Sequence, residues 1–230
     1  MNTSNSSDTI YQKVIKKAAL KQDVYSNTMD SFKIFRETIM RVTENFKLVL
    51  PPDEKRITFE YKDKGEFEFE MKFAGDILIF VMHTNIFEFS RNHEVMKTSY
   101  IKEDIERSYC GVINIYNFLA DSFKYNREND IGYLIGRIFI NKDMHYFTEG
   151  KRELGWMYNN FSSAVINKEN VYNIIEKAIE YTINFDLLTP PYENVKEVTV
   201  YDMQTSIDNM RIITGKRLGF KFQADQEGIK

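Results

Sequence analysis

The feature that most constrains the fold is a change of hydrophobic period at Pro51 and Pro52. Upstream, apolar residues recur three and four positions apart, a spacing that predicts an α-helix with a single apolar seam. The members of this seam are Phe32, Phe35, Ile39, Val42, Phe46 and Val49. The prolines end the helix, because proline lacks a backbone N–H and disfavours helical backbone in the residue before it. Downstream, apolar and polar residues alternate, which is typical of a half-buried β-strand.

A second helical pattern lies upstream of the seam, between residues 8 and 23. Lysines recur every four positions on one side, at Lys13, Lys17 and Lys21, and we interpret them as a solvated face. The apolar residues of the other side are Tyr11, Val14, Ile15 and Ala18. The two patterns predict a helical hairpin whose seam packs either on the rest of the chain or on a second copy.

The stretch after the prolines predicts an antiparallel meander. The segment ILIFVMH is apolar on both faces, as expected of a central strand that is covered on both sides. Residues 109–119 fit a strand by propensity and a helix by spacing, and we favour the strand. The predicted strands are, in chain order, 57–61, 67–73, 77–83, 85–90, 109–119, 133–141, 144–150 and 195–203.

Two helices are predicted beyond the central strands, one over 168–186 with Asn167 as its N-cap and one over 152–165 that contains Trp156. The order of elements lacks the regular alternation of a βαβ fold. The prediction is therefore an α+β fold, with a curved antiparallel β-sheet flanked by an N-terminal helical hairpin and a C-terminal helix. Residues 1–50 are expected to pack as a helical segment on an α+β unit of residues 51–230.

Composition narrows the function classes. A net charge of −3 and an isoelectric point near 5.8 argue against a nucleic-acid-binding protein. The longest apolar run, ILIFVM, is too short to cross a bilayer, and the first residues show no secretory signal. The single cysteine, Cys110, excludes an internal disulfide and suits a reducing compartment. We expect a cytoplasmic protein that binds neither nucleic acid nor a membrane.

The stretch EFEFEMKF contains a pattern that is found in metal-dependent nucleases of the restriction-endonuclease type. In such enzymes an Asp and a Glu bind a divalent ion that activates water, and a Lys two residues after the Glu assists. Asp53, Glu70 and Lys72 match these roles, but a helix precedes Asp53 where the family pattern has a strand. Glu68, Glu70 and Lys72 are also the polar members of a regular alternation. We take the alternation as the origin of the motif and keep the nuclease as the alternative.

No other pattern in the sequence predicts a metal, a cofactor or a covalent intermediate. The three histidines, His83, His93 and His145, lack the spacing of zinc ligands. Cys110 has no histidine beside it and is interpreted as a small buried hydrophobic residue. Phosphate loops, dinucleotide-binding glycine motifs and serine-nucleophile motifs are missing from the sequence. We expect neither metal nor cofactor.

Polar residues within otherwise apolar segments are the most informative feature for function. Arg137 interrupts a predicted strand, and a guanidinium buried without a partner is costly. Asn114 and Asn117 interrupt the neighbouring strand, and Asp121 and Asp130 bracket the connection. We predict either an ion pair of Arg137 with one of these aspartates or a polar pocket for a small anionic ligand or a partner's carboxylate.

The sequence thus predicts a non-catalytic cytoplasmic module for binding or assembly. Its ligand-binding residues would be the polar set around Arg137. Its partner surface would be the apolar seam from Phe32 to Phe46, which would bind another protein or a second copy of the chain. The alternative is the nuclease that uses Asp53, Glu70 and Lys72.

Overall fold

The computed structural model describes residues 4–128, 130–151, 154, 160–185, 189 and 191–204. Its first element is one continuous helix, α1 (Ser4–Val49), so the predicted helical hairpin is wrong. No glycine or proline precedes Pro51, so nothing in the sequence ends the first helical pattern. Leu20, Val24 and Thr28 are buried and carry the seam across the expected turn.

Within the described part of the chain, seven antiparallel strands form one sheet in the order β1-β2-β3-β5-β6-β7, with β4 paired to one end of β5. The strands are β1 (Phe59–Gly65), β2 (Glu68–Phe73), β3 (Asp76–Met82), β4 (Phe87–Glu88), β5 (Tyr109–Leu119), β6 (Tyr133–Ile140) and β7 (Tyr146–Gly150). The predicted α+β fold with an antiparallel sheet is therefore confirmed. The preference for a strand over a helix at residues 109–119 is confirmed as well.

Further helices lie within the described residues. They include α2 (Ser99–Glu103), α3 (Ala120–Lys124), α4 (Lys168–Ile183) and α5 (Tyr192–Val195), with 3-10 turns at Glu94–Lys97 and Ile105–Ser108. The helix α4 begins at its predicted cap, since the Asn167 side chain accepts the Asn170 N–H at 2.9 Å. Among the described residues, no helix combines the length and apolar character needed to cross a membrane.

Other predicted elements differ from the structure. The strand expected at 85–90 is reduced to the two residues of β4. The strand expected at 195–203 is wrong, because residues 200–204 are helical. Thr199 caps this helix by accepting the Asp202 N–H at 3.0 Å, and its hydroxyl donates to the Asp202 carboxylate at 2.6 Å. Most of the helix predicted around Trp156 lies outside the described residues.

The helices α1 and α4 pack on one face of the sheet and enclose the main core. The buried members of the apolar seam are Phe32, Phe35, Ile39 and Val42. Phe32 lies 4.8 Å from the ring of Phe69, and Phe46 stacks on Phe59 at 4.6 Å. Burial of such side chains stabilises a fold by about 1.5–3 kcal/mol each. Because the seam packs on the chain's own sheet, it does not provide the exposed partner surface expected from the sequence.

The opposite face of the sheet, called the second face below, carries the alternate residues of each strand. The segment from the first 3-10 turn to the second covers its β5–β7 part. The second core formed there consists of Val95, Tyr100, Ile101, Cys110, Val112, Phe139 and Phe161. Arg137 lies on the same face as Phe139, two residues earlier on β6, and there it is exposed rather than covered.

Candidate functional site

The β6–β7 hairpin brings Arg137 opposite Glu149. Its turn is fixed by Asn141, which is fully buried and whose side-chain oxygen accepts the N–H groups of Asp143 and His145 at 2.9 and 3.1 Å. Arg137 and Glu149 each lie six residues from Asp143, so this turn sets their pairing. Such local side-chain bonds to the backbone are the usual means by which Asn fixes a turn.

Arg137 forms an ion pair with Glu149, its Nη2 donating to Oε2. The predicted pairing with Asp121 or Asp130 is therefore wrong, because the partner comes from the adjacent strand rather than from the preceding loop. About 45% of the surface of the Arg137 side chain is exposed, so solvent reaches this side chain.

His93 holds the same carboxylate from the other side, with Nε2 3.2 Å from Glu149 Oε1. The other ring nitrogen, Nδ1, accepts the Val95 N–H at 3.3 Å. Because Nδ1 acts as an acceptor, the proton of a neutral imidazole lies on Nε2, which then donates to Glu149. Both carboxylate oxygens of Glu149 are thus engaged by fixed partners.

An aromatic cluster supports this charged group. Phe89 stacks on the His93 ring at 4.7 Å and lies 5.0 Å from Phe139. The Arg137 guanidinium carbon is 5.4 Å from the Phe139 ring centroid, within the range of a cation–π contact. The rings therefore provide Arg137 and His93 with an apolar surface that limits their side-chain freedom.

A depression of about 340 Å³ lies beside the ion pair, and we call it the Arg137 cleft. Its lining residues are Leu134, Ile135, Gly136, Arg137, Glu149, Gly150 and Lys151. Two of these side chains are cationic and one is anionic. A Cβ at Gly150 would lie 2.6 Å from the Leu154 Cβ, so this position accepts only glycine without displacement of its neighbour. A guanidinium and an ammonium beside an open space are groups that bind carboxylates and phosphates.

The other predicted ligand-binding residues lie in three places. Asn114 is the β5 partner of Arg137 and shares its face. Asn117 is buried and donates to Asp76 at 3.4 Å, on the strand pair where it faces Leu78 of the main core. Asp130 accepts from Ser122 at 2.6 Å and lies 2.8 Å from the Arg127 Nε, while Asp121 lies in the first turn of α3. The structure therefore brings only Asn114 to Arg137.

Sequence reasoning missed Glu149 and His93 as partners of Arg137. For Glu149 the register was the obstacle, because the predicted strands 133–141 and 144–150 leave only two residues between them and pair position 137 with 148. In the structure Ile140 pairs with Tyr146, so the turn is longer and Arg137 lies opposite Glu149. For His93 no local signal existed, since it lies 56 residues from Glu149 along the chain and reaches it through the covering segment of the second face.

The candidate nuclease residues each have an ordinary structural setting. Glu70 and Lys72 share the second face, as predicted from the alternation, and both pair with β1. Glu70 meets Lys64 at 2.9 Å, and Lys72 meets Glu60 at 3.2 Å. Asp53 is exposed in the turn after α1. Over the described ranges, no group of three or more His, Cys, Asp or Glu side chains is arranged to hold a metal ion.

His83, His145 and Cys110 are explained by hydrogen bonds to the backbone or by burial. Cys110 is buried, and this burial raises the pKa of its thiol far above the usual range, which disfavours the reactive thiolate. His83 accepts the Asn85 N–H at 3.0 Å, and His145 lies 3.1 Å from the Phe161 carbonyl oxygen.

Among known proteins, no family, no curated sequence and no solved structure matches this chain.

Proposed function

We propose that the protein is a non-catalytic cytoplasmic binding module whose Arg137 cleft holds a small ligand with an anionic group. The observation that carries the proposal is the half-exposed Arg137 guanidinium at the edge of a 340 Å³ cleft that Lys151 also lines. The cytoplasmic assignment is supported by Cys110, a free and buried thiol of the kind that persists in a reducing compartment.

The arrangement supports binding in a defined way. A guanidinium has five N–H donors in a planar fork. The hydrogen bond from Arg137 Nη2 to Glu149 uses one of them, so the other donors remain for a ligand. Glu149 is itself held by His93, so it fixes the fork in one orientation. A ligand carboxylate then accepts from the Arg137 donors that the ion pair leaves unused, in a cleft that Lys151 also lines.

The same geometry favours a non-catalytic role. A general base needs a free lone pair within reach of the proton that it removes. Glu149 accepts from Arg137 and from His93, and His93 uses its other ring nitrogen to accept the Val95 N–H. We take these contacts as support for recognition of charge rather than for proton transfer to a substrate.

A ligand screen tests the proposal. We expect acetate, succinate, glutamate or inorganic phosphate to raise the melting temperature of the wild type, as a ligand does when it binds only the folded state. Arg137→Leu should remove this increase, whereas Arg56→Leu should keep it, because Arg56 is an exposed arginine whose partner, Glu54, lies two residues away. If Arg137→Leu changes the melting temperature of the ligand-free protein but keeps the ligand-induced increase, the role of Arg137 is limited to its cross-strand ion pair with Glu149.

A further inference from the structure

A β-bulge in β6 turns an apolar side chain outward. Tyr116 of β5 pairs with Leu134, whereas its neighbour Ile115 pairs with Gly136, so Ile135 is left out of the register. A regular alternation would turn Ile135 to the second face and Leu134 into the main core. The bulge does the reverse, since Ile135 is fully buried in the main core and Leu134 is 40% exposed. Bulges are common next to active sites, where they re-aim a side chain.

The bulge adds an apolar wall to the charged groups of the Arg137 cleft. Leu134 lines the cleft together with Arg137 and Lys151. Tyr116 lies opposite Leu134 on β5, and Ile79 lies opposite Tyr116 on β3. Residues that are directly opposite on neighbouring strands have Cβ atoms about 4.5–5.5 Å apart and share a face of the sheet. Leu134, Tyr116 and Ile79, which we call the apolar row, therefore run from the cleft across the second face.

The charge and size of the cleft fit a small ligand with a single anionic group. The lining holds two cationic side chains, Arg137 and Lys151, and one anionic side chain, Glu149, which leaves a formal charge of +1. One carboxylate balances this charge, whereas a second carboxylate would be placed near Glu149 or on the apolar row. The volume of about 340 Å³ is at the lower end of the range for small-molecule sites, roughly 300–1,000 Å³.

We infer that the ligand of the Arg137 cleft is an amphiphilic monocarboxylate, with its carboxylate on Arg137 and its aliphatic chain or aromatic ring on Leu134 and Tyr116. The inference rests on the proposed function, because it names the chemical class of the ligand for the same cleft. Contact with the apolar row removes the chain from water, and this contribution grows with each methylene that the row covers. A bare anion uses only the charged part of the site.

A series of ligands with one head group tests the inference by calorimetric titration, with displacement of hexanoate for the weaker ligands. Acetate, butyrate and hexanoate differ only in chain length, so affinity should rise along the series. Hexanoate should bind the wild type about tenfold more tightly than acetate, or better. Adipate has the length of hexanoate and a carboxylate at each end. It should bind about tenfold more weakly than hexanoate, because its second carboxylate would meet the apolar row.

Variants separate the apolar contact from the charged one. Leu134→Ser should reduce the preference for hexanoate over acetate to about threefold or less, whereas Leu134→Met stays apolar and should keep the preference. Ile183→Ser is the matched control, since Ile183 is an exposed apolar residue of α4 on the other side of the sheet. Arg137→Leu should weaken the binding of both ligands. The melting temperature of each variant without ligand shows that it is folded.

The outcomes distinguish this inference from the proposed function. If acetate and hexanoate bind equally and both require Arg137, the proposed function stands and the amphiphilic ligand is excluded. If the preference for hexanoate persists in Leu134→Ser, the chain lies elsewhere and the inference is contradicted. If no carboxylate binds, or if Arg137→Leu binds as tightly as the wild type, the proposed function fails and the inference fails with it.

Discussion

The second face of the sheet carries charged pairs at both ends, and the two ends differ in what surrounds them. At the β1–β2 end, Glu70 and Lys72 each meet one oppositely charged residue of β1. At the β6–β7 end, Glu149 is shared by Arg137 and His93 beside an open cleft. The β6–β7 end therefore differs in two respects, because a third group holds one partner of the ion pair and a cleft lies beside it. At the β1–β2 end the charges simply balance in pairs.

The largest difference between the two ends is expected in backbone packing. Gly150→Ala should destabilise the protein by about 1–3 kcal/mol, because the added Cβ overpacks the site and must displace its neighbours. This Cβ would lie 2.6 Å from the Leu154 Cβ and 2.9 Å from the Ile135 carbonyl oxygen. The melting temperature should fall by about 2–10 °C, as measured by differential scanning calorimetry. Gly75→Ala is the matched control at the β2–β3 turn, where nothing lies within 4 Å of the new Cβ.

A smaller difference is expected in the ion pairs. Glu149→Gln should lower the free energy of unfolding by about 1 kcal/mol, because Glu149 is partly buried and accepts from two fixed donors. Glu60→Gln should change it by less than about 0.5 kcal/mol, since Glu60 is an exposed partner of Lys72. Urea unfolding of both variants measures the contrast. Equal losses would mean that the shared contact with His93 adds nothing.

The smallest effect is expected from the candidate nuclease residues. Single-stranded and duplex DNA and RNA, incubated with Mg²⁺ or Mn²⁺, should remain intact with the wild type and with Glu70→Ala. We expect no cleavage because Glu70 and Lys72 are paired with β1 residues rather than arranged around a metal ion. Cleavage by the wild type that Glu70→Ala abolishes would replace the binding proposal with the enzymatic one.

The periodicity of the sequence was sufficient to predict the sheet and α4. Strands β5 and β6 agree closely with their predicted ranges, because runs of β-branched and aromatic residues favour a strand. The hairpin prediction failed for α1, since a change of apolar face along a helix does not break it without a glycine or proline. The prediction of a strand at 195–203 failed because the helix cap at Thr199 outweighs the short alternation of apolar and polar residues there.

The candidate site was predicted only in part, for a related physical reason. Arg137 was identified from its chemistry, as a cation within an apolar strand. Its exposure and its partners depend on the register of the hairpin and on the path of the covering segment, which local patterns do not encode. The apolar seam of α1 likewise predicted burial without indicating whether its own sheet or another molecule covers it.

The most direct test of the account is a calorimetric titration of the strongest ligand from the screen into wild type, Arg137→Lys and Arg137→Leu. The account predicts that Arg137→Leu weakens binding by about tenfold or more while the variant stays folded. Arg137→Lys should fall between the two, because an ammonium keeps the charge and loses the planar fork. Equal affinity of all three proteins for the ligand would contradict the assignment of the Arg137 cleft as the binding site.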